Sequence, residues 1–540
     1  MSLRADLVLR GGTIVDGSGD PPFEADLAIA GDRITAIGPD LDASASTELD
    51  VRGLAVAPGF INILSWAAET LLEDGRSQGN IRQGVTTEVF GEGESMGPLS
   101  PEYREWLVGQ QGDVRYDVTW TTLAEFLDTL VTTGISPNVG SFVGATTVRA
   151  HELGWSDAPA TPDQLAAMAD LVRAAMADGA LGLGSSLLYM PACFADTAEL
   201  IALAREAGRV DGLYISHIRN ESDRLVEAID ELLTIAVESQ VRAEVYHLKA
   251  AGRPFWPRIE DAIARLESAR AAGVPVTADM YPYAAGGTGL DATMPPWVQV
   301  GGQDAWVARL RDPAIRERLA REMRGSVEGW ENELVNSGGP EAVMVVGFRT
   351  PAMQPLVGRT IASIAAERGT SPEETIMDLV IEDGSRVSSV YFSQSDDVVR
   401  RVAGLPWVSI GSDEGSYAPE GVFLNSQPHP RAYGSFARFV GPFVRDAVVP
   451  SLAEAVRRVT ALPADTLRLR DRGRLVPGLA ADVVVFDPAT LQDHATYEQP
   501  HQYAVGVEHV IVNGVMTLLA GEHTGATAGR VMRGPGWRGP

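Results

Sequence analysis

Three side chains that can bind a metal ion or move a proton stand at the ends of short apolar segments. His217 ends LYISHI, His247 ends AEVYHL and Asp413 ends WVSIGSD. The histidines are one strand–helix unit apart, so neighbouring parallel strands would bring both imidazoles to one sheet edge. Alone, either histidine indicates only a hydrogen-bonded strand end. Together with an aspartate able to accept a proton from water, they predict a metal-dependent hydrolytic site.

Eight apolar segments that alternate with helix-like stretches form the expected frame for these residues. They cover residues 60–64, 86–90, 138–143, 180–186, 213–218, 243–248, 276–281 and 407–413. Repeated strand–helix units indicate a parallel sheet, and eight of them match a (β/α)8 (TIM) barrel, an α/β fold. A ninth segment, 389–394, is also strand-like, so the choice of eight is one reading of the pattern.

The two ends of the chain differ in sequence pattern from its middle. They contain short strand-like segments in which apolar and polar residues alternate, separated by Gly, Pro and Asp. We predict that residues 1–59 and 470–540 form a small β-sandwich beside a catalytic barrel over 60–469. The stretch between the last two barrel strands is longer than one crossover requires. We therefore expect an insertion at about 284–350, near the barrel mouth.

Composition excludes several classes of function. The 540 residues are 45% hydrophobic and carry a net charge of −28, which disfavours nucleic acids and anionic membranes as partners. No apolar run is long enough for a transmembrane helix, and the first residues do not match a secretory signal. Cys193 is the only cysteine, which fits a reducing compartment. We expect a cytoplasmic protein with a small-molecule substrate; self-association into a homo-oligomer is left open.

Several longer motifs resemble the amidohydrolase superfamily and, within it, the D-aminoacylase (N-acyl-D-amino-acid deacylase) family. They are DLVLRGGTIVDGSG, VAPGFI, GVTTEV, ISHIRNES, VYHLKAAG, DMYPYAAGGTGL, PWVSIGSDEG, HPRAYGSFARFVG and VPGLAADVVVFDP. The resemblance covers nearly the whole chain. It implies a TIM-barrel hydrolase, flanked by a β-sandwich, that cleaves carbon–nitrogen bonds other than peptide bonds.

The chain departs from the family where the resemblance places further metal ligands. An Asp-x-His-x-His motif is expected after PGFI, but Asn62, Leu64 and Trp66 stand there. The family's metal-binding cysteine corresponds to Gly93, within GEGE, and a further histidine corresponds to Ala145. This pattern predicts that the site depending on His-x-His is absent and that one zinc, or another divalent ion, remains.

Glu92 and Glu94 flank the vacant cysteine position, and carboxylates are competent zinc ligands. We predict Glu92, His217 and His247 as the ligands, with Glu92 preferred because glycines on both sides free the backbone to turn it inward. Glu94 is the alternative ligand, and both glutamates could instead be solvated loop residues. Asp413 is predicted to take a proton from water and pass it to the leaving amine.

An acidic substrate would need positive or hydrogen-bonding side chains. Lys249 and Tyr281 match family positions that contact the substrate, while Tyr283, Arg219 and Arg431 are further candidates from the residues themselves. Structural ion pairing is the competing interpretation of both arginines.

The sequence thus predicts a mononuclear amidohydrolase acting on an N-acyl-D-amino acid or a related small acylated substrate. Two alternatives stay open: a hydrolase of the same fold with altered or metal-independent chemistry on an ester or cyclic amide, and a catalytically silent binding protein.

Overall fold

The computed structural model describes residues 3–325 and 329–539, in which strands alternate with helices in the middle of the chain and consecutive strands form its two ends. In chain order the strands are β1 (Leu3–Ile14), β2 (Phe23–Ala30), β3 (Arg33–Gly38), β4 (Ala43–Asp50), β5 (Ala55–Pro58), β6 (Phe60–Asn62), β7 (Val85–Phe90), β8 (Asn138–Ser141), β9 (Val143–Gly144), β10 (Gly182–Ser186), β11 (Leu213–His217), β12 (Arg242–Val245), β13 (Val276–Met280), β14 (Gly286–Gly289), β15 (Val343–Gly347), β16 (Ser388–Tyr391), β17 (Val408–Ile410), β18 (Val483–Phe486), β19 (Val507–Val512), β20 (Val515–Leu519) and β21 (Glu522–His523).

The α-helices are α1 (Ala67–Glu73), α2 (Gln78–Ile81), α3 (Pro101–Gln110), α4 (Leu123–Thr133), α5 (Ala145–Leu153), α6 (Pro162–Ala177), α7 (Thr197–Gly208), α8 (Leu225–Ser239), α9 (Arg258–Ala271), α10 (Gln303–Leu310), α11 (Pro313–Met323), α12 (Glu333–Asn336), α13 (Ile361–Arg368), α14 (Pro372–Asp383), α15 (Asp396–Ala403), α16 (Arg431–Val440), α17 (Pro442–Arg445), α18 (Leu452–Val459) and α19 (Ala461–Leu467). None of the described helices has the length and apolarity needed to cross a bilayer.

Parallel strands follow one another in barrel order, and the predicted (β/α)8 fold class is confirmed. β6, β7 and β8 pair in sequence, and β9 to β13 and then β17 continue the series. The last strand returns to the first, because the Asp413 N–H donates to the Leu64 carbonyl over 2.9 Å. Every one of the eight predicted segments contains a barrel strand. The carboxyl ends of these strands therefore share one mouth.

Local signals explain where the barrel helices begin. α6 starts after Thr161, whose hydroxyl accepts from the Gln164 N–H while the Gln164 side chain returns to the Thr161 N–H. Pro162 occupies the first helical position, where a missing N–H costs nothing. The buried face of the same helix includes Met168 and Val172, which pack into the main core. A cap of this kind, encoded in the local sequence, marks where α6 begins.

The largest sheet joins the two ends of the chain. Its order is β21-β20-β19-β18-β5-β1-β2-β3, with β4 paired to β1. The link between the ends is the antiparallel pair of β18 with β5, in which Val483 faces Pro58 and Phe486 faces Ala55. Alternate residues of these strands form a separate apolar core. All nine strands lie within the predicted terminal segments, 1–59 and 470–540.

The chain between β13 and β17 builds a second core beside the mouth. The antiparallel sheet β14-β16-β15 and the helices α10 to α14 enclose apolar side chains from Leu290 to Tyr391. The predicted insertion, 284–350, lies within this segment. The ninth strand-like stretch, 389–394, overlaps β16, which pairs here and not in the barrel.

Candidate metal centre

The backbone after β7 turns so that Glu92 points into the barrel mouth. Gly91 and Gly93 both have left-handed backbone angles, with φ of 104° and 72°. A side chain at Gly93 would bring its Cβ within 2.5 Å of the Ser186 Cβ. The sequence Gly-Glu-Gly thus allows this close approach while it aims one buried carboxylate at the strand ends.

His217 and His247 converge on the Glu92 carboxylate. The Glu92 Oε1 lies 3.0 Å from the His217 Nδ1 and 2.9 Å from the His247 Nε2. Both imidazoles are buried, and their ring centroids are 4.5 Å apart. His247 follows β12 with φ of 34°, and its N–H donates to the Asp279 Oδ1 over 2.9 Å. One ligand atom from each of Glu92, His217 and His247 lies within 4.8 Å of the others.

Glu221 lies behind both imidazoles and was not predicted as a functional residue. Its Oε1 is 3.1 Å from the His247 Nδ1, and its Oε2 is 3.8 Å from the His217 Nε2. The Lys249 Nζ donates to the Glu221 Oε1 over 2.7 Å and lies 2.6 Å from the His247 Nδ1. Metal-binding histidines commonly donate their second ring N–H to a carboxylate, which fixes the tautomer. Glu221 is placed for that role at His247, whereas the buried His217 Nε2 has no hydrogen-bond partner among the described residues.

Asp413 lies across the mouth with a different set of partners. The Asp413 N–H bond to β6 and a φ of 52° hold its backbone in a left-handed turn. Its Oδ2 is 2.7 Å from an Arg431 guanidinium nitrogen, and its Oδ1 accepts from the Trp66 indole over 3.1 Å. The same indole donates to the Glu92 Oε2 over 2.9 Å. Trp66 therefore connects the two carboxylates, a link that sequence spacing does not reveal.

Burial and charge act against each other at these groups. Burial alone would raise the pKa of Glu92, but the two imidazoles hold the pKa of that carboxyl well below its usual range. Burial and Lys249 oppose protonation of His247, yet Glu221 and Glu92 raise its pKa well above the ordinary value. Burial raises the pKa of Asp413 although Arg431 lowers it. The local field thus favours positive charge between the carboxylates.

The donor set fits a divalent cation. With neutral imidazoles, the carboxylates of Glu92, Glu221 and Asp413 outnumber the cations Lys249 and Arg431, so negative charge is in excess. All five side chains are buried, where uncompensated charge is costly. Two imidazole nitrogens and one carboxylate oxygen match the protein ligands of a known catalytic zinc set. The residues present therefore fit the ion that the sequence predicts.

The predicted substrate-binding residues fall into two groups. Lys249, Tyr281 and Arg431 cluster beside the histidines: the Arg431 guanidinium lies 4.5 Å from the Tyr281 ring centroid, and the Lys249 Nζ lies 5.8 Å from it. The Tyr281 hydroxyl accepts from Gln394 over 2.9 Å and keeps its own proton for a further acceptor. The Arg431 Nε is buried without a hydrogen-bond acceptor among the described residues.

The second group is held by other protein groups. The Tyr283 hydroxyl donates to the Asp493 carboxylate over 3.1 Å. Arg219 donates twice to Glu231, over 2.8 and 2.9 Å, and also to two backbone carbonyls. A role for either residue in substrate binding stays a prediction.

Side chains at the end of β6 take the place of the expected Asp-x-His-x-His ligands. The Asn62 amide donates to Glu88 and Ser412, and its oxygen accepts from the Ser412 N–H. Leu64 is buried in an apolar cluster. With Trp66 in the third position, none of the three residues offers a free ligand atom.

Comparison with known proteins shows the family to which the chain is related. The model of a family described as "Amidohydrolase family" matches residues 47–518. D-aminoacylase of Alcaligenes xylosoxydans xylosoxydans is 34% identical over 531 residues, covering 98% of this chain and 97% of the relative. N-acyl-D-aspartate deacylase of the same organism is 32% identical, with 99% and 96% coverage.

Solved structures of deacylases are similar to this chain over nearly its whole length. N-acyl-D-glutamate deacylase from Bordetella bronchiseptica, complexed with zinc and a phosphonate mimic of the tetrahedral intermediate, has a TM-score of 0.80 at 30% identity and covers 98% of this chain and 100% of its own. A D-aminoacylase studied for one-metal activation and second-metal attenuation of its binuclear centre has a TM-score of 0.80 at 31% identity, covering 98% and 99%. Dihydropyrimidinase from Brevibacillus agri NCHU1002, at 16% identity and a TM-score of 0.56, shares the fold.

Proposed function

The chain belongs to the amidohydrolase family, and from that premise we propose that it hydrolyses the amide bond of an N-acyl-D-amino acid, or a related small acylated substrate, with one divalent metal ion. It is a hydrolase of carbon–nitrogen bonds other than peptide bonds. The observation that carries the one-metal proposal is the convergence of Glu92, His217 and His247 at one point in the mouth. A cytoplasmic location and self-association remain predictions from the sequence.

Glu92, His217 and His247 would hold the ion, and Glu221 would keep the His247 imidazole oriented. When bound, a zinc-like ion supplies polarisation of the amide carbonyl and a water of lowered pKa. Asp413 is buried and close to the ligands, with Arg431 and Trp66 fixing both of its oxygens. We assign to Asp413 the transfer of a proton from water to the amide nitrogen. One carbon–oxygen bond forms, the carbon–nitrogen bond breaks, and the amine leaves protonated.

Lys249, Tyr281 and Arg431 would bind the carboxylate of the amino-acid part. All three lie on the side of the mouth next to His247 and Asp413, so a carboxylate held there places the amide over the ligand set. The planar guanidinium of Arg431 suits a carboxylate with two oxygens, and its Nε has an unused proton. A bound carboxylate would also offset the charge of Arg431 when Asp413 is protonated.

Metal analysis combined with a substrate panel tests this proposal. We expect about one zinc per purified chain, hydrolysis of at least one N-acetyl-D-amino acid, and little activity on the matching L isomers. His217→Ala should lose the metal and lower kcat/KM by about 10³-fold, the order expected when several kcal/mol of charge stabilisation disappear. His151→Ala, a change at a half-buried histidine on α5, is the matched control.

Protein without metal, whose activity resists chelators, would contradict the metal-dependent mechanism. Metal-containing protein that cleaves no N-acyl-D-amino acid would contradict the substrate assignment alone. Esters and cyclic amides belong in the same panel, since they would then identify the bond that is cleaved.

A further inference from the structure

Trp66 not only packs at the barrel mouth but also makes hydrogen bonds through its indole N–H. Its indole nitrogen lies between two buried carboxylates, 2.9 Å from the Glu92 Oε2 and 3.1 Å from the Asp413 Oδ1. Its backbone N–H donates to the Glu414 carbonyl over 3.0 Å, which ties the first barrel strand to the last. The side chain is still 43% exposed, so the ring covers this polar link from the solvent side.

Carboxylates that share a site repel one another unless a cation or a donor lies between them. An indole N–H is a donor and has no lone pair with which to bind a metal. The Trp66 indole therefore reduces the repulsion between the two carboxylates by hydrogen bonding, where a cation would reduce it by charge. Asn62 and Leu64, the other two residues of the segment, have no free ligand atom either.

We propose that Trp66 is a positioning residue, whose indole N–H fixes the Asp413 and Glu92 carboxylates relative to each other and closes the place where a second metal ion would bind. The inference rests on the proposed function, because it takes Glu92 as a metal ligand and Asp413 as the proton-transfer group. It adds a specific consequence: the centre accepts one ion even when metal is in excess.

Trp66→Phe isolates the N–H, since the benzyl ring preserves apolar cover but cannot donate. Trp537→Phe, at an exposed tryptophan near the carboxyl terminus, is the matched control. Apo protein is titrated with Co²⁺ by calorimetry and visible absorption, and thermal unfolding verifies that each variant is folded. We expect wild type to saturate at one Co²⁺ per chain in excess metal. Trp66→Phe should weaken that binding by about 10-fold to 100-fold and change the Co²⁺ spectrum, as loss of a ligand's outer hydrogen bond does.

Steady-state kinetics give the second readout. In metal-saturated protein, Trp66→Phe should lower kcat by about 10-fold to 100-fold with KM within about 3-fold, because the lost bond is to a charged group and not to substrate. Trp537→Phe should match wild type in every measurement.

Three results would overturn the inference, and they separate it from the proposed function. Two Co²⁺ ions per wild-type chain would overturn the closed second site while leaving a metal-dependent hydrolase. Equal Co²⁺ affinity and kcat in Trp66→Phe and Trp537→Phe would overturn the positioning role. Failure of wild type to bind any Co²⁺ would overturn both proposals. The Co²⁺ titrations need no substrate, so a wrong substrate assignment would leave them interpretable.

Discussion

The two sides of the barrel mouth compensate their buried polar and charged groups in different ways. At the ends of β7, β11 and β12, Glu92 and two histidines converge, and their surroundings carry excess negative charge. At the end of β6, Asn62, Leu64 and Trp66 form an amide, an aliphatic and an indole surface satisfied by hydrogen bonds and packing. In the one-ion proposal a cation would complete the first side, whereas hydrogen bonds and packing already satisfy the second. A few side chains at one strand end would then set how many metal ions this barrel mouth holds.

Asp413 lies where these two sides meet, so its substitution should have the largest effect of the three predictions below. Asp413→Asn keeps the shape but cannot accept the proton, and we expect kcat/KM to fall by about 10³-fold, within the range known for general acid–base groups. Metal content should stay near that of wild type, because Asp413 is not among the three ligands. Kinetics and metal analysis on one preparation measure both effects.

Asp383→Asn provides a control for changing a buried aspartate, since Asp383 accepts backbone N–H groups in the insertion, away from the mouth. It should retain wild-type kcat/KM. If Asp413→Asn kept more than a tenth of the activity, Asp413 would not be the proton-transfer group.

Lys249 and Arg219 are two positive side chains that were both predicted to bind the substrate, so their substitutions can be compared. Lys249 contacts Glu221 and His247 inside the centre, whereas the guanidinium of Arg219 is taken up by Glu231 and backbone carbonyls. We expect Lys249→Met to raise KM by about 10-fold to 100-fold, the value of a hydrogen bond to a charged group. Arg219→Lys should change KM by less than about 3-fold and act mainly on stability.

Initial-rate measurements with the best substrate of the panel, together with thermal unfolding, distinguish these outcomes. A large KM increase in Arg219→Lys at unchanged stability would show that Arg219 binds substrate after all. An unchanged KM in Lys249→Met would remove Lys249 from the substrate site.

The sequence was most informative where chemistry depends on a local pattern. A polar residue that ends an apolar segment is visible within a few positions, which is why His217, His247 and Asp413 could be predicted. Trp66 contacts a distant partner: the Trp66–Asp413 bond spans 347 positions. No local pattern encodes such a bond, because it arises only when the last barrel strand closes on the first.

Backbone conformation also limited the prediction. The resemblance placed the lost cysteine at Gly93, yet a φ of 72° and the nearby Ser186 leave no room for a side chain there. It is the neighbouring Glu92 that faces the histidines. The flanking glycines favoured Glu92 from the sequence alone, whereas the close approach of Ser186 to Gly93 is visible only in the folded backbone.

Buried glutamates on the two sides extend the comparison from metal binding to stability. Glu88, on β7 and paired with Asn62 of β6, accepts from Asn62, Asn80 and Ser77 over 2.9, 2.6 and 3.2 Å. Glu244, on β12, accepts from Thr277 over 2.6 Å, and its Oε1 has no hydrogen-bond partner among the described residues. Burial raises the pKa of Glu244 from 4.5 to about 7. Donors thus compensate one carboxylate far better than the other.

A folded-state pKa above the unfolded value means that the unfolded chain releases its proton first as pH rises. Glu244 therefore favours the folded state below about pH 4.5 and loses that contribution between about pH 4.5 and 7. The side chain of Glu244→Gln stays neutral at every pH. The gain in free energy of unfolding of this variant over wild type should therefore be about 2 kcal/mol larger at pH 8 than at pH 5. Thermal or urea unfolding at both pH values measures the difference. Glu88→Gln should show a smaller pH-dependent gain in stability, because three donors already stabilise the charged form of Glu88. If the gain of Glu244→Gln over wild type were equal at pH 5 and pH 8, Glu244 would not titrate in this range.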